Sequence, residues 1–112
     1  MKLTELEPEF LKIIDEKTSE YVVKLEEADG VLFVCPKCLH NNGYKREGVH
    51  SVICWEPNVP QTRDPKPGRW VMQGTGFADL TLVAGSSSVL LTDGCRAHFY
   101  VRNGEIVEAE PW

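Results

Sequence analysis

The chain has 112 residues, a formal net charge of -5 and a hydrophobic content of 42%. This length favours one domain with a small core, for which a bound metal would be a useful cross-link. The net negative charge disfavours non-specific binding to double-stranded DNA. No segment reaches the roughly 18 apolar residues that a membrane span requires. We expect an intracellular protein in which the 4 cysteines bind metal or stay free.

The acidic N-terminal segment, residues 1–20, is expected to be helical. Pro8 suits a first helical turn, and Phe10, Ile13 and Ile14 follow at helical spacing. The pattern predicts a helix that begins at residue 5 or 8 and ends at residue 17, with a solvated acidic face.

Short β-rich runs separated by turn signals fill the rest of the chain. Asp29-Gly30 predicts a hairpin between residues 21–25 and 31–34, and Asn103-Gly104 predicts another between 99–102 and 105–107. Further strands are predicted at residues 49–55, 70–73, 80–83 and 89–92, with turns at Gly74/Gly76, 85–88 and 93–94.

Residues 56–69 contain four prolines and are predicted to form an extended surface loop. The loop is flanked by Trp55 and Trp70, and its cationic residues Arg63, Lys66 and Arg69 suit an acidic partner. It is therefore a candidate binding surface. A plain connector flanked by two core tryptophans is the alternative.

Two pairs of ligand-type residues, Cys35 with Cys38 and Cys95 with His98, each follow an apolar strand at a spacing of i, i+3. Two such knuckles supply the three thiolates and one imidazole of a tetrahedral structural zinc site. We predict that these four residues bind one structural Zn²⁺. His40 and His50 remain possible replacements for one ligand, and Cys54 is expected to be a small buried apolar residue.

Catalytic alternatives find weaker support in the sequence. His50 is a candidate general base, but Cys54 lies four residues along the same predicted strand, about 13 Å away and too far for proton transfer. A thioredoxin-like use of Cys35 and Cys38 requires a helix after the first cysteine, and the residues after Cys38, LHNNG, disfavour one.

These elements predict one domain over residues 1–112 of the mainly β class, a small α+β protein. Its N-terminal helix is followed, over residues 21–110, by antiparallel hairpins that the zinc site with its two knuckles staples together.

The combined motifs resemble a family of small proteins encoded by tailed bacteriophages and prophages. The resemblance spans residues 28–107 and rests on ADGVLFVCPKC, HSVICW, PGRW, GTGF, DLTL, SVLLT and GCRAHF, then Asn103-Gly104. It implies a phage accessory protein with a cysteine and histidine metal centre in the cytoplasm of the bacterial host. Family motif positions include the four predicted ligands and also His50, Cys54, Trp55 and Trp70. Ala97 departs from the pattern, in which an aromatic residue precedes the histidine.

The preferred functional hypothesis is a zinc-stapled, non-catalytic module that binds a protein. The alternatives are a zinc-dependent enzyme that uses His50, a structural component of the virion, and a single-stranded nucleic-acid binder whose exposed aromatic residues stack on bases. The sequence predicts no membrane partner and leaves the oligomeric state open.

Overall fold

The structure, a computed structural model, describes residues 1–85, 87–91 and 94–112. The elements in chain order are β1 (Glu9–Ile13), β2 (Ser19–Val22), β3 (Gly30–Val34), α1 (Pro36–Asn41), β4 (Ser51–Trp55), β5 (Val71–Gln73), β6 (Thr81–Val83), β7 (Val89–Leu90), β8 (His98–Arg102) and β9 (Glu105–Glu108). Short 3-10 helices at Leu3–Leu6 and Leu25–Glu27 accompany them. The mainly β prediction is confirmed.

The strands form three antiparallel sheets. The largest has the order β2-β1-β3-β4, β5 pairs with β6, and the third sheet has the order β7-β8-β9. Strands β4 and β7 are therefore edge strands of their sheets. The predicted strand end at Thr92, and the turns predicted at 85–88 and 93–94, include residues outside the described part of the chain.

The prediction of an N-terminal helix is wrong. Its place is taken by a 3-10 helix at Leu3–Leu6 and by strand β1, which lies inside the four-stranded sheet. Phe10 and Leu11, neighbours on β1, are both buried, one in the main core and the other in a second cluster on the opposite face. A strand covered on both faces lacks the alternation of apolar and polar residues that identifies a half-buried strand. The apolar residues of this segment therefore also fit the spacing of a helical face.

The predicted hairpin between residues 21–25 and 31–34 is also wrong, because β1 lies between β2 and β3 and pairs with both. The Asp29 carboxylate accepts the Ile13 N–H at 2.8 Å, so this turn residue fastens β1 to the sheet. By contrast, the Asn103-Gly104 hairpin is confirmed: φ is 48° at Asn103 and 74° at Gly104. These left-handed values suit the tight turn that the dipeptide predicts.

A shared core joins the two larger sheets. Phe33 on β3 and Phe99 on β8 pack edge to face with ring centroids 6.0 Å apart, and both side chains are buried. Leu3 and Leu6 from the 3-10 helix are also buried in this core. A smaller cluster of Leu11, Trp55 and Val59 covers the other face of the four-stranded sheet. Within the described residues, no helix is long and apolar enough to cross a membrane.

Candidate metal centre

Cys35 and Cys38 are positioned where β3 runs into α1. Cys35 is the residue before the helix, Pro36 occupies its first position, and Cys38 lies in its first turn. Proline is favoured at a first helical position because its fixed φ suits the helix and its missing N–H needs no partner there. One turn of helix therefore brings the two thiols to the same end of β3.

His50 reaches the same point from the neighbouring strand. The register of β3 and β4 pairs Val34 with Ser51, and it continues one residue further because the Cys35 N–H donates to the His50 carbonyl at 2.9 Å. Side chains of directly opposed residues in an antiparallel pair project on the same side of the sheet. His50 is thus the cross-strand neighbour of Cys35.

Cys95 comes from the third sheet, on the connection between β7 and β8. Gly94 and Arg96, on either side of Cys95, have left-handed φ values of 64° and 53°. The Leu91 N–H donates to the Ala97 carbonyl at 2.8 Å and closes the connection. The left-handed backbone at Gly94 and Arg96 directs Cys95 towards the two cysteines and the histidine of the other sheet.

The four donor atoms of Cys35, Cys38, His50 and Cys95 lie within 4.8 Å of one another, and these residues could hold a metal ion. The Cys95 sulfur is 3.6 Å from the Cys35 sulfur and 3.4 Å from His50 Nε2. A tetrahedral zinc site has S···S edges of about 3.8 Å and S···N edges of about 3.6 Å, calculated from ordinary bond lengths. The observed spacing therefore fits a tetrahedral ion.

The thiols influence one another strongly. Burial and the neighbouring thiols raise the pKa of Cys35 to about 12, and burial together with a hydrogen bond to Cys95 raises the pKa of Cys38. Burial also acts to raise the pKa of Cys95, but hydrogen bonds from His50, the Ala97 backbone and the other two thiols lower it to about 7. A bound cation would lower the pKa of all three thiols, because metal ligation requires the thiolate form.

The second ring nitrogen of His50 has its own partner. Nδ1 lies 3.3 Å from the Ser51 carbonyl oxygen, and the tautomer that donates there has no proton on Nε2, so that Nε2 can bind a metal instead of donating to Cys95. Outer hydrogen bonds of this kind fix the ring orientation and tautomer of histidine ligands.

The structure places His50, and not the predicted His98, in the group of donors. His98 begins β8, where Phe99 and Val101 are buried in the core and the alternate residues face the other side. Its Nδ1 lies 3.2 Å from Glu110 Oε1 instead. Strand alternation therefore turns His98 away from Cys95, although the sequence spacing is that of a knuckle.

The other candidate ligands lie outside the group. His40 Nδ1 is 3.1 Å from Asn41 Oδ1, and its ring packs on Tyr44 and Trp112. Cys54 is buried in the main core, where desolvation raises the pKa of its thiol, as expected for a small apolar residue. The helix that we expected to be absent after Cys35 does form, but the pKa of Cys35 is raised rather than lowered as thioredoxin-like chemistry requires.

The predicted binding surface is largely used for internal contacts. Trp55 is buried and donates its indole N–H to the Asp64 carbonyl at 2.8 Å. Arg63 donates to the carbonyls of Asp15 and Thr18, in the turn between β1 and β2. The Arg69 guanidinium donates to five carbonyls of its own loop, at 2.7–3.0 Å, those of Val59, Pro60, Arg63, Pro65 and Gly68.

The two remaining members of that surface, Lys66 and Trp70, line a cavity of about 550 Å³ that also reaches His50. Sequence reasoning did not identify this cavity, because it is formed by segments distant in the chain. For the histidine of the donor group, the useful signal is the antiparallel pairing of β3 and β4, which places His50 beside Cys35.

No family model matches the chain, and no curated protein and no solved structure matches it. The candidate centre is accordingly defined by its own donor set of three thiols and one imidazole, drawn from two sheets. This group is a possible metal-binding site.

Proposed function

We propose that Cys35, Cys38, His50 and Cys95 bind one structural Zn²⁺ and that the stapled domain is a non-catalytic protein-binding module. The observation that carries the proposal is the convergence of the four donor atoms within 4.8 Å. Three thiolates and one imidazole form a soft donor set that suits zinc, whereas magnesium and calcium prefer oxygen ligands.

The donor count supports a structural rather than a catalytic ion. Catalytic zinc sites keep a position for water or substrate, whereas the four donors available here are enough to fill a tetrahedral site. His50 as a ligand is also unavailable as a general base. Three thiolates with Zn²⁺ carry a net charge of -1, which Lys37 beside Cys38 helps to balance.

The test is the metal content of protein purified without added metal, compared between His50→Ala and His98→Ala. We expect one zinc per chain in the wild type and in His98→Ala, and a strongly reduced zinc content in His50→Ala. The two variants are matched because each removes one imidazole, but only His50 contacts a cysteine, whereas His98 contacts Glu110. Loss of zinc from His98→Ala with retention in His50→Ala contradicts the proposed ligand set.

A zinc-dependent enzyme is the second candidate, and one observation favours it: His50 is exposed and lines the cavity of about 550 Å³. If His50 left the metal, a water molecule would take its place and become more acidic. Substitution by Co²⁺ distinguishes the two functions, because a four-ligand S₃N site gives the intense visible bands of tetrahedral cobalt. A weak five-coordinate spectrum in the wild type, changing with pH, would support the enzyme.

For biological context we propose an accessory protein of a tailed phage or prophage that acts in the cytoplasm of the bacterial host. The support is the resemblance of HSVICW, PGRW and the cysteine motifs to that family. Mass spectrometry of infected-cell lysates and purified virions checks the location: enrichment in virions would instead favour a structural component.

A further inference from the structure

We propose that the cleft between strands β4 and β7 binds an extended peptide segment of a partner protein as an added β-strand. This inference rests on the proposed protein-binding function and specifies its partner. The cleft is the cavity of about 550 Å³, lined by residues 50–53, 65–68 and 88–91 together with Trp70. Its two long walls are the edges of two different sheets.

The edge of β4 presents unpaired backbone groups to this cleft. Hydrogen-bonded and non-hydrogen-bonded pairs alternate along an antiparallel ladder, and the Cys35 N–H bonds to the His50 carbonyl. Val52 is then the next residue bonded to β3, and Ile53 directs its N–H and C=O away from β3. The backbone of Ile53 makes no hydrogen bond to other segments among the described residues.

The edge of β7 has the same property. The Leu91 N–H bonds to the Ala97 carbonyl, so the neighbouring Leu90 directs its N–H and C=O away from β8. No other described segment hydrogen-bonds to the Leu90 backbone, and its side chain is 54% exposed. Exposed strand edges of this kind are templates for a further strand.

At one end of the cleft, a residue of the chain itself already bonds to the edge of β4. The Trp70 N–H donates to the Trp55 carbonyl at 2.9 Å, as an added strand would, and its indole N–H lies 3.3 Å from the Ser88 carbonyl on the other wall. Trp70 thus closes one end of the cleft, and His50 lies at the other end. The five residues of β4 span about 17 Å between these ends, enough for a short extended peptide.

The walls indicate the chemistry of that peptide. Pro65, Pro67 and Val89 line the cleft and suit apolar side chains at alternate positions. The Lys66 ammonium group has one long, exposed ion pair, at 3.9 Å from Asp64, whose side chain is 82% exposed. It can therefore reach a carboxylate on the bound segment, so we expect an extended peptide with alternating apolar residues and at least one acidic residue.

The test selects peptides on zinc-loaded protein from a displayed library of random segments of about ten residues, long enough to span the edge. We expect enrichment of segments with alternating apolar residues and a carboxylate. On binding, the backbone amides of Ile53 and Leu90 should gain protection from hydrogen exchange. Failure of any peptide to bind the folded, zinc-loaded protein, or protection confined to other strands, overturns the proposal.

Two variants locate the binding. Ile53→Pro removes the outward N–H but leaves the ladder to β3, since proline is tolerated at such edge positions. Loss of that hydrogen bond and crowding by the ring should weaken binding about tenfold. Lys66→Glu should weaken binding to acidic peptides, whereas the matched control Lys45→Glu, remote from the cleft lining, should not. Equal effects of Lys66→Glu and Lys45→Glu would contradict the assigned carboxylate contact.

Zinc content and circular dichroism of the same samples separate the two proposals. Peptide failure with one zinc per chain removes only the cleft proposal, whereas absence of zinc removes the proposed metal function. A single-stranded oligonucleotide that binds and quenches the fluorescence of Trp70, without protecting the Ile53 amide from exchange, would assign the cleft to nucleic acid instead.

Discussion

The two histidines near Cys95 show how backbone direction decides which side chain can bind a metal. His98 has the knuckle spacing, yet β8 alternation points it towards Glu110, whereas His50 is distant in sequence but opposite Cys35 across the sheet. The three cysteines could be predicted from sequence because their local turns determine their direction. The histidine could not, because its choice depends on strand register.

Cys54 allows a prediction at the scale of one residue. It is 1% exposed and remote from the donor group, so Cys54→Ala should keep one zinc per chain and lower the free energy of unfolding by only about 1 kcal/mol. Metal analysis and urea titration check both values. Cys38→Ser is the comparison, since it should lose zinc; a loss of zinc in Cys54→Ala would place that thiol at the metal.

At the scale of elements, β1 explains why the N-terminal fold was mispredicted. Phe10 and Leu11 point to opposite faces and both are buried, because other residues cover each face of the sheet. Strands exposed on one face, such as β8 with its alternate burial, could be predicted from their period of two. Burial on both faces is a property of the assembled sheet and has no local signature.

Within the Pro-rich loop, residues 56–69, the Arg69 side chain links five backbone positions. Arg69→Lys removes the planar fork that reaches five carbonyls, and an ammonium group cannot replace it. We expect faster hydrogen exchange in the loop and a loss of about 1 kcal/mol in the free energy of unfolding, because the guanidinium is partly exposed. Arg102→Lys, on the β8–β9 hairpin, is the control; equal effects of the two variants would remove this role of Arg69.

At the scale of the whole molecule, the candidate metal centre lies between the four-stranded sheet and the three-stranded sheet and draws donors from both. Cys35 and Cys95 are 60 residues apart, and the sheets otherwise meet through the core around Phe33 and Phe99. A small domain has a stability of about 5–15 kcal/mol, and structural zinc can contribute as much. Folding and metal binding should therefore be coupled.

Removal of the metal tests that coupling. A chelator should lower the thermal midpoint sharply and abolish the near-ultraviolet signal of the packed aromatic residues, and added zinc should restore both in a concentration-dependent manner. Circular dichroism during titration with chelator and zinc follows the change. An unchanged thermal midpoint in excess chelator would show that the core folds without the ion.

The order in which the ligands occur along the chain has a consequence for synthesis. Cys35, Cys38 and His50 leave the ribosome together with the large sheet, but Cys95 follows much later. The Leu3 N–H donates to the Gly104 carbonyl at 2.8 Å, and this hydrogen bond too can form only after Gly104 has been synthesised. With the ligand set proposed above, a nascent chain that ends before Cys95 would offer three of the four donors, and its N-terminal 3-10 helix would lack this hydrogen bond. Synthesis of the last hairpin would therefore complete the proposed donor set and fix the N-terminal segment at the same late stage.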